Sequence, residues 1–262
     1  MSFTLILPVI LGYLAALIIN YLSDVLPDTR KFSQPVCKQC GAAYSWKDYL
    51  FYRKCQNGHT RATRIWIVHV IILVLSIYTW GQPPAKIGYF LGMVLLTYFG
   101  LIFTIDMEHR LILHPTSIFG SLLALIVGYI SHGLMPTLIG GLSGLLIMLA
   151  LYYFGVLFAR IRAKKMLAQG QEADDEEALG AGDVILVTIL GLMLGWPLIW
   201  FGLVLGILLG GVVSLLLIFS LVITRRYNSN ALMLFIPYGP YFITSAFLMI
   251  YFPRLVLLIV PK

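Results

Sequence analysis

The stretch that decides the fold class is residues 87–110, which read IGYFLGMVLLTYFGLIFTIDMEHR. Residues 87–105 contain no charged side chain, and a bilayer core requires roughly 20 consecutive apolar residues per helix. Asp106 follows directly where the apolar run ends. The stretch therefore predicts a transmembrane helix with a carboxylate at one edge of the membrane.

The composition of the whole chain is that of an integral membrane protein. Of the 262 residues, 60% are hydrophobic and 11% are charged, and the mean hydropathy is +0.93. Soluble domains contain about 25% charged residues, so a soluble globular fold is excluded. The net charge of +7 comes from basic residues clustered between apolar runs, a pattern that fixes membrane orientation. We therefore expect the lipid bilayer as a partner and no nucleic acid.

Eight apolar runs predict an all-α, polytopic membrane protein with about eight transmembrane helices. The first run lacks a preceding basic region and an obvious cleavage site, so we expect a retained helix and not a signal peptide. Gly195, Trp196 and Pro197 separate the sixth span from the seventh, because such residues end helices and anchor them at the interface. The predicted spans are residues 3–22, 65–81, 87–105, 116–132, 137–158, 183–198, 199–223 and 232–258.

The distribution of basic residues predicts the orientation of the chain. With the N-terminus outside, 15 of the 18 lysines and arginines fall in cytoplasmic segments, and only Lys86, Arg254 and Lys262 lie elsewhere. Cytoplasmic segments of membrane proteins are enriched in lysine and arginine. We therefore predict an outside N-terminus in a multi-pass protein. The cytoplasmic segments are then residues 23–64, 106–115, 159–182 and 224–231.

Two aspartates are candidate catalytic residues. Asp106 ends the third predicted span and Asp183 begins the sixth, so both are expected at the same cytoplasmic edge of the membrane. A carboxylate beside hydrocarbon is costly and is therefore a candidate for function. Two close carboxylates share a proton, so one can activate water while the other polarises a scissile carbonyl. Gly180 and Gly182 remove side chains beside Asp183 and permit unusual backbone angles, so a substrate strand could approach closely.

The residues alone leave other interpretations of these aspartates open. An aspartate at the start of a helix, such as Asp183, is commonly an N-cap, and Asp106 can be a plain interfacial residue. A transporter or channel also carries intramembrane acids, although usually near the midplane and in repeated halves. No internal repeat is visible in this sequence. Glu108 and His109, which follow Asp106, are expected to be solvated loop residues.

Three cysteines lie together in one polar segment after the first span. An odd, clustered set such as Cys37, Cys40 and Cys55 is a poor disulfide framework. Cys37 and Cys40 have the spacing of a zinc knuckle, and Cys55 and His59 can complete a closed four-ligand site. We therefore predict a small cytoplasmic, zinc-ribbon-like segment that holds a structural zinc ion. The alternative is a set of reduced thiols in a site that has lost its metal.

The order of these motifs resembles the prepilin peptidases, also called type IV leader peptidases, which are membrane aspartic proteases of the GxGD type. Each motif is short, but the four occur in order along most of the chain. They are Asn20–Pro27 followed by the cysteine segment and Arg61–Arg64, then Ile105–Arg110, then Glu177–Trp196, and finally Ile236–Tyr241.

The resemblance implies an activity, a site and partners. Members of this family remove the leader of type IV pilin-like or pseudopilin precursors at the cytoplasmic face of the bacterial plasma membrane. Many bacterial members then methylate the new N-terminus with S-adenosylmethionine. By position, Asp106 and Asp183 match the two catalytic aspartates. The implied organisation is residues 1–64, with the first helix and the cysteine segment, and residues 65–262 as the transmembrane peptidase domain.

The sequence departs from the family pattern in three places. Ile185 stands where a lysine is frequent, and Pro115 comes later than usual after the first aspartate. These two changes leave the expected protease chemistry intact. The fourth cysteine is absent, since the usual second Cys-x-x-Cys pair is represented by Cys55 and His59, and this departure weighs against the methyltransferase activity that the resemblance implies. A non-catalytic assembly protein of the same fold is disfavoured, because such a protein need not keep both aspartates.

Overall fold

The computed structural model describes residues 5–168, 180–223 and 237–256. In these ranges the chain is helical and contains no β-strand beyond an isolated antiparallel bridge between Val36 and Ala43. The predicted all-α, polytopic fold class is confirmed. The helices are α1 (Ile6–Thr29), α2 (Trp46–Leu50), α3 (Arg64–Gly81), α4 (Gly88–His109), α5 (His114–His132), α6 (Leu134–Ala168), α7 (Ala181–Leu194), α8 (Leu198–Ile223), α9 (Gly239–Tyr251) and α10 (Pro253–Val256).

The apolar helices fall at the predicted spans, but not all have the expected length. In the described ranges, α1, α3, α4, α5, α6 and α8 are long and apolar enough to cross a membrane. Helices α7 and α9 are apolar but have 14 and 13 residues. Helix α7 ends at Leu194 because Gly195 takes a left-handed φ of 69° and Pro197 follows. Residues 232–236 and 257–258 of the last predicted span, and residues 3–4 of the first, lie outside the described ranges.

The described residues fall into two compact units, with the division between Phe119 and Gly120. In the first unit, α1, α3 and α4 pack against one another. A Cβ atom on Gly12 would lie 2.9 Å from the Cβ of Ser76, and one on Gly100 would lie 2.8 Å from Cδ1 of Ile19. Such small residues let helix backbones approach closely, which is how helices associate in lipid. The predicted domain boundary after residue 64 stays a prediction.

In the second unit, α6 and α7 meet backbone against backbone. A Cβ atom on Gly191 would fall within overlap distance of the Gly140 carbonyl oxygen, and a Cβ on Gly140 would overlap the Gly191 carbonyl in turn. The N–H of Trp196, just after α7, donates to the carbonyl of Pro136 on α6 at 2.9 Å. These contacts fix α7, the helix that carries Asp183, against α6.

The α6–α7 contact predicts a position-specific cost for an added methyl group. Gly191→Ala should lower the free energy of unfolding by about 1–3 kcal/mol, because the methyl overlaps backbone atoms that cannot move aside. Gly211→Ala on α8 is the matched control, since no atom lies within 4 Å of its Cβ position. Denaturant titration of both variants in the same detergent checks this. Equal stability of the two variants would contradict the packing described above.

Candidate active site and metal centre

Asp106 lies near the C-terminal end of α4, and its side chain is buried. The residue is 4% exposed, although α4 runs past it to His109. Arg110 then ends the helix in a left-handed conformation, with φ of 54°, and its N–H donates to the Asp106 carbonyl at 2.9 Å. The expectation that Glu108 and His109 are loop residues is therefore wrong, because both belong to the last turn of α4.

Asp183 lies in the first turn of α7 and is not itself the N-cap. Gly180 occupies the N-cap position, and its backbone N–H donates to the Asp183 carboxylate at 3.3 Å. Gly180 has an extended backbone, with φ of −81° and ψ of 147°, which any residue can adopt. An unusual backbone angle therefore does not account for this glycine. The space that it leaves beside Asp183 remains the predicted reason for a glycine here, and Gly182 remains a predicted site-shaping residue.

The two aspartates belong to different units, Asp106 to the first and Asp183 to the second. Asp106 lies one turn before the end of α4, and Asp183 lies in the first turn of α7. Their assignment as a catalytic pair stays a prediction.

The four candidate metal ligands come together in the first unit. The ligand atoms of Cys37, Cys40, Cys55 and His59 all lie within 4.8 Å of one another. The Sγ atoms of Cys40 and Cys55 are 3.8 Å apart, and Nδ1 of His59 is 3.4 Å from Sγ of Cys55. Two thiolates bound about 2.3 Å from a tetrahedral zinc ion stand about 3.8 Å apart, so this donor set fits a metal ion.

Two tight turns present these ligands. The N–H of Gly41 donates to the Cys37 carbonyl and the N–H of Gly58 donates to the Cys55 carbonyl, both at 2.8 Å. The φ angles of these glycines, 70° and 80°, are left-handed, so a turn of this form favours glycine at both places. The second turn directs His59 back toward the cysteines, and its carbonyl accepts the Cys55 N–H at 3.1 Å.

The surroundings of the cysteines favour a metal-binding state for at least one of them. A hydrogen bond from the backbone N–H of Gln39 lowers the pKa of the Cys37 thiol to about 6, so it is largely thiolate at neutral pH. Burial raises the pKa of Cys55. Metal ligation requires the deprotonated form of each thiol. Cys37 is therefore prepared for ligation, whereas Cys55 would gain its charge together with the metal.

The comparison with known protein families reaches the helices that carry both aspartates. Residues 93–215 match the model of the type IV leader peptidase family. This match supports membership of the chain in the type IV leader peptidase family. No curated protein and no solved structure matches it. The matched region contains Asp106, Gly180, Gly182 and Asp183, and it leaves the cysteine segment outside. Family membership indicates a peptidase with a leader-peptidase-like function.

A charged network that the sequence did not predict joins the helix ends of the first unit. The guanidinium of Arg64, at the start of α3, binds the Asp24 carboxylate on α1 and the Glu108 carboxylate on α4. Lys38, between the cysteines of the first turn, approaches Glu108 at 3.5 Å. One arginine thus ties together the ends of three helices, and a lysine joins the cysteine segment to them.

The cysteine segment is also attached to α1 through Arg61. The Arg61 guanidinium lies 3.8 Å from the centre of the Tyr49 ring and donates to the Tyr49 carbonyl at 3.0 Å. It also approaches Asp24 at 3.6 Å, and the Tyr49 hydroxyl donates to the same carboxylate at 2.7 Å. Burial raises the pKa of Tyr49, so this hydroxyl stays protonated and can donate. The sequence signal was Asp24 near the end of an apolar run, followed by basic residues before the next.

The network predicts that Arg64 contributes more to the free energy of unfolding than an ordinary surface arginine does. Arg64→Gln removes the shared partner of Asp24, whose side chain is 15% exposed, and of Glu108, whose side chain is 30% exposed, and should lower the free energy of unfolding by about 1–3 kcal/mol. Arg53→Gln is the matched control, because Arg53 is 71% exposed and reaches Asp48 only at 3.7 Å. It should cost less than about 1 kcal/mol. Denaturant titration in detergent compares the two variants. Equal losses of unfolding free energy would refute the role of Arg64 in joining the helix ends.

Proposed function

We propose that this leader peptidase is a membrane aspartic endopeptidase that removes the leader from type IV pilin-like precursors. The observation that carries the proposal is the family match, because it spans both Asp106 and Asp183. The buried position of Asp106 supports the proposal, because burying a carboxylate near the end of an apolar helix is energetically costly and marks a candidate functional residue. The reaction is placed at the cytoplasmic face of a bacterial plasma membrane, on the basis of the basic-residue distribution.

The proposed chemistry needs only the two carboxylates and water. One aspartate, ionised, takes a proton from water as it attacks the scissile carbonyl carbon. The other, protonated, donates a hydrogen bond to the carbonyl oxygen and stabilises the developing negative charge. Proton sharing between two close carboxylates supplies this mixed protonation state near neutral pH. Gly180 is proposed to admit the substrate backbone beside Asp183.

Replacement of either aspartate should abolish cleavage while the protein stays in the membrane. We expect Asp106→Asn and Asp183→Asn each to reduce leader removal by at least about 100-fold, because an amide can neither accept the water proton nor donate an acidic one. Asp28→Asn, at an exposed position of α1, is the control and should cleave normally. The assay incubates purified protein with a pilin-type precursor and measures product mass. Normal cleavage by either active-site variant would refute the assignment.

The same assay tests methyl transfer, which the resemblance implies for many bacterial members. With S-adenosylmethionine present, a product heavier by one methyl group would establish N-methylation of the new N-terminus. Loss of the leader alone would restrict the function to cleavage. The absence of the family's fourth cysteine from the cysteine segment is the sequence feature that makes cleavage without methylation the outcome to test for.

We also propose that Cys37, Cys40, Cys55 and His59 hold a structural zinc ion. The spacing of the four donors supports a closed tetrahedral site, which is typical of structural zinc. When bound, the ion would supply no chemistry to the cleavage and would fix the segment that contains Lys38 and Arg61. The chain's own residues then hold that segment against the ends of α1 and α4.

Zinc binding predicts a defined metal content. The purified protein should contain about one zinc ion per chain, measured by elemental mass spectrometry. Cys37→Ser and His59→Ala should each lower the content several-fold, because a closed structural site needs all four ligands. His114→Ala, an exposed histidine outside the cluster, should retain full zinc. A metal-free wild-type protein, or full zinc in Cys37→Ser, would refute the site.

A further inference from the structure

The short length of α3 fixes the depth of its first turn in the membrane. Helix α3 has 18 residues, which span about 27 Å, while the hydrocarbon core is about 30 Å thick. Both ends of this helix must therefore lie at the boundary between hydrocarbon and headgroups. Trp66, in its first turn, is 57% exposed, as is typical of an interfacial tryptophan.

The segment Trp46–Lys54, which contains α2, lies beside this first turn and not above it. The Tyr52 ring centre is 5.4 Å from that of Trp66 and 4.9 Å from that of His69. The Tyr52 hydroxyl is 2.7 Å from Nε2 of His69. His69 lies five residues into α3, about 7.5 Å along its axis. This contact holds the Trp46–Lys54 segment at the boundary between the hydrocarbon and the headgroups.

The outward side of the Trp46–Lys54 segment combines apolar and basic side chains. Trp46, Leu50 and Phe51 are 52%, 44% and 71% exposed, an apolar surface of the kind that soluble proteins avoid. Trp46 and Leu50 are four residues apart on α2, so they share one face. The neighbouring exposed basic residues are Lys47, Arg53 and Lys54. Apolar anchors flanked by basic side chains match the chemistry of an anionic lipid surface.

We propose that the Trp46–Lys54 segment is an interfacial anchor that inserts Trp46, Leu50 and Phe51 among anionic phospholipid headgroups. The basic side chains bind the phosphates while the apolar side chains reach the acyl boundary. The anchor lies between Cys40 and Cys55 in the chain, so the lipid surface and the helix ends would together hold the candidate metal ligands in place. This inference rests on the membrane-spanning fold and does not depend on the proposed peptidase activity.

The fluorescence of Trp46 tests the anchor in the intact protein. The difference between wild-type and Trp46→Phe emission isolates this residue in vesicles of phosphatidylcholine, with or without phosphatidylglycerol. We expect quenching by lipids that carry a spin label near the headgroup, and phosphatidylglycerol should lower quenching by aqueous acrylamide about twofold. The triple variant Lys47→Gln/Arg53→Gln/Lys54→Gln should lose that twofold response. A Trp46 signal quenched by acrylamide and untouched by spin-labelled lipid would overturn the proposal.

Two further comparisons make the result specific. Trp200, which is 50% exposed near the start of α8 and has no basic residue within five positions, is the control. Its Trp200→Phe difference signal should not respond to phosphatidylglycerol. Dilution of the protein with excess lipid distinguishes shielding of Trp46 by lipid from shielding by a second copy of the chain. Shielding of Trp46 that disappears on dilution would indicate an interface between copies and would overturn the lipid anchor.

Discussion

The absence of water in the hydrocarbon core is the constraint on which this structure depends. Backbone groups in lipid must pair within the chain, so the described spans are helices, and charged groups are restricted to the helix ends. The side chains of the ion-pair network in the first unit follow this rule. Asp24 lies near the end of α1, Arg64 at the start of α3 and Glu108 at the end of α4. In the described part of this unit, the ion pairs therefore involve helix ends and the polar segment between α1 and α3.

The same constraint explains what could be predicted from sequence. Apolar runs gave the positions of the spans, because length and hydropathy decide insertion, and ligand spacing gave the members of the cysteine cluster. The extra turn of α4 was missed because polar residues after Asp106 suggested a loop, whereas the helix ends only where Arg110 turns left-handed. The partners of Arg64 were also missed, since ion pairs between residues 40 or more positions apart leave no local pattern.

The charged network has a geometric consequence for Asp106. Residues two positions apart on an α-helix point about 200° apart around its axis. Glu108 is held on the side of α4 that faces Arg64 and Lys38, so Asp106 is directed to the opposite side. The pairing of Glu108 therefore sets the rotation of the helix end that carries Asp106.

The missing fourth cysteine need not mean a missing metal. A Cys-x-x-Cys pair that began at Cys55 would place its second cysteine at position 58, where Gly58 stands with φ of 80°. That left-handed turn carries the chain one residue further and brings His59 Nδ1 to 3.4 Å from Cys55 Sγ and 3.9 Å from Cys37 Sγ. Histidine replaces one thiolate charge with a neutral donor, so the three remaining thiolates and zinc would carry a net charge of about −1 instead of −2. A less negative cluster is easier to hold beside Glu108 and Asp24, the two carboxylates that Arg64 already binds.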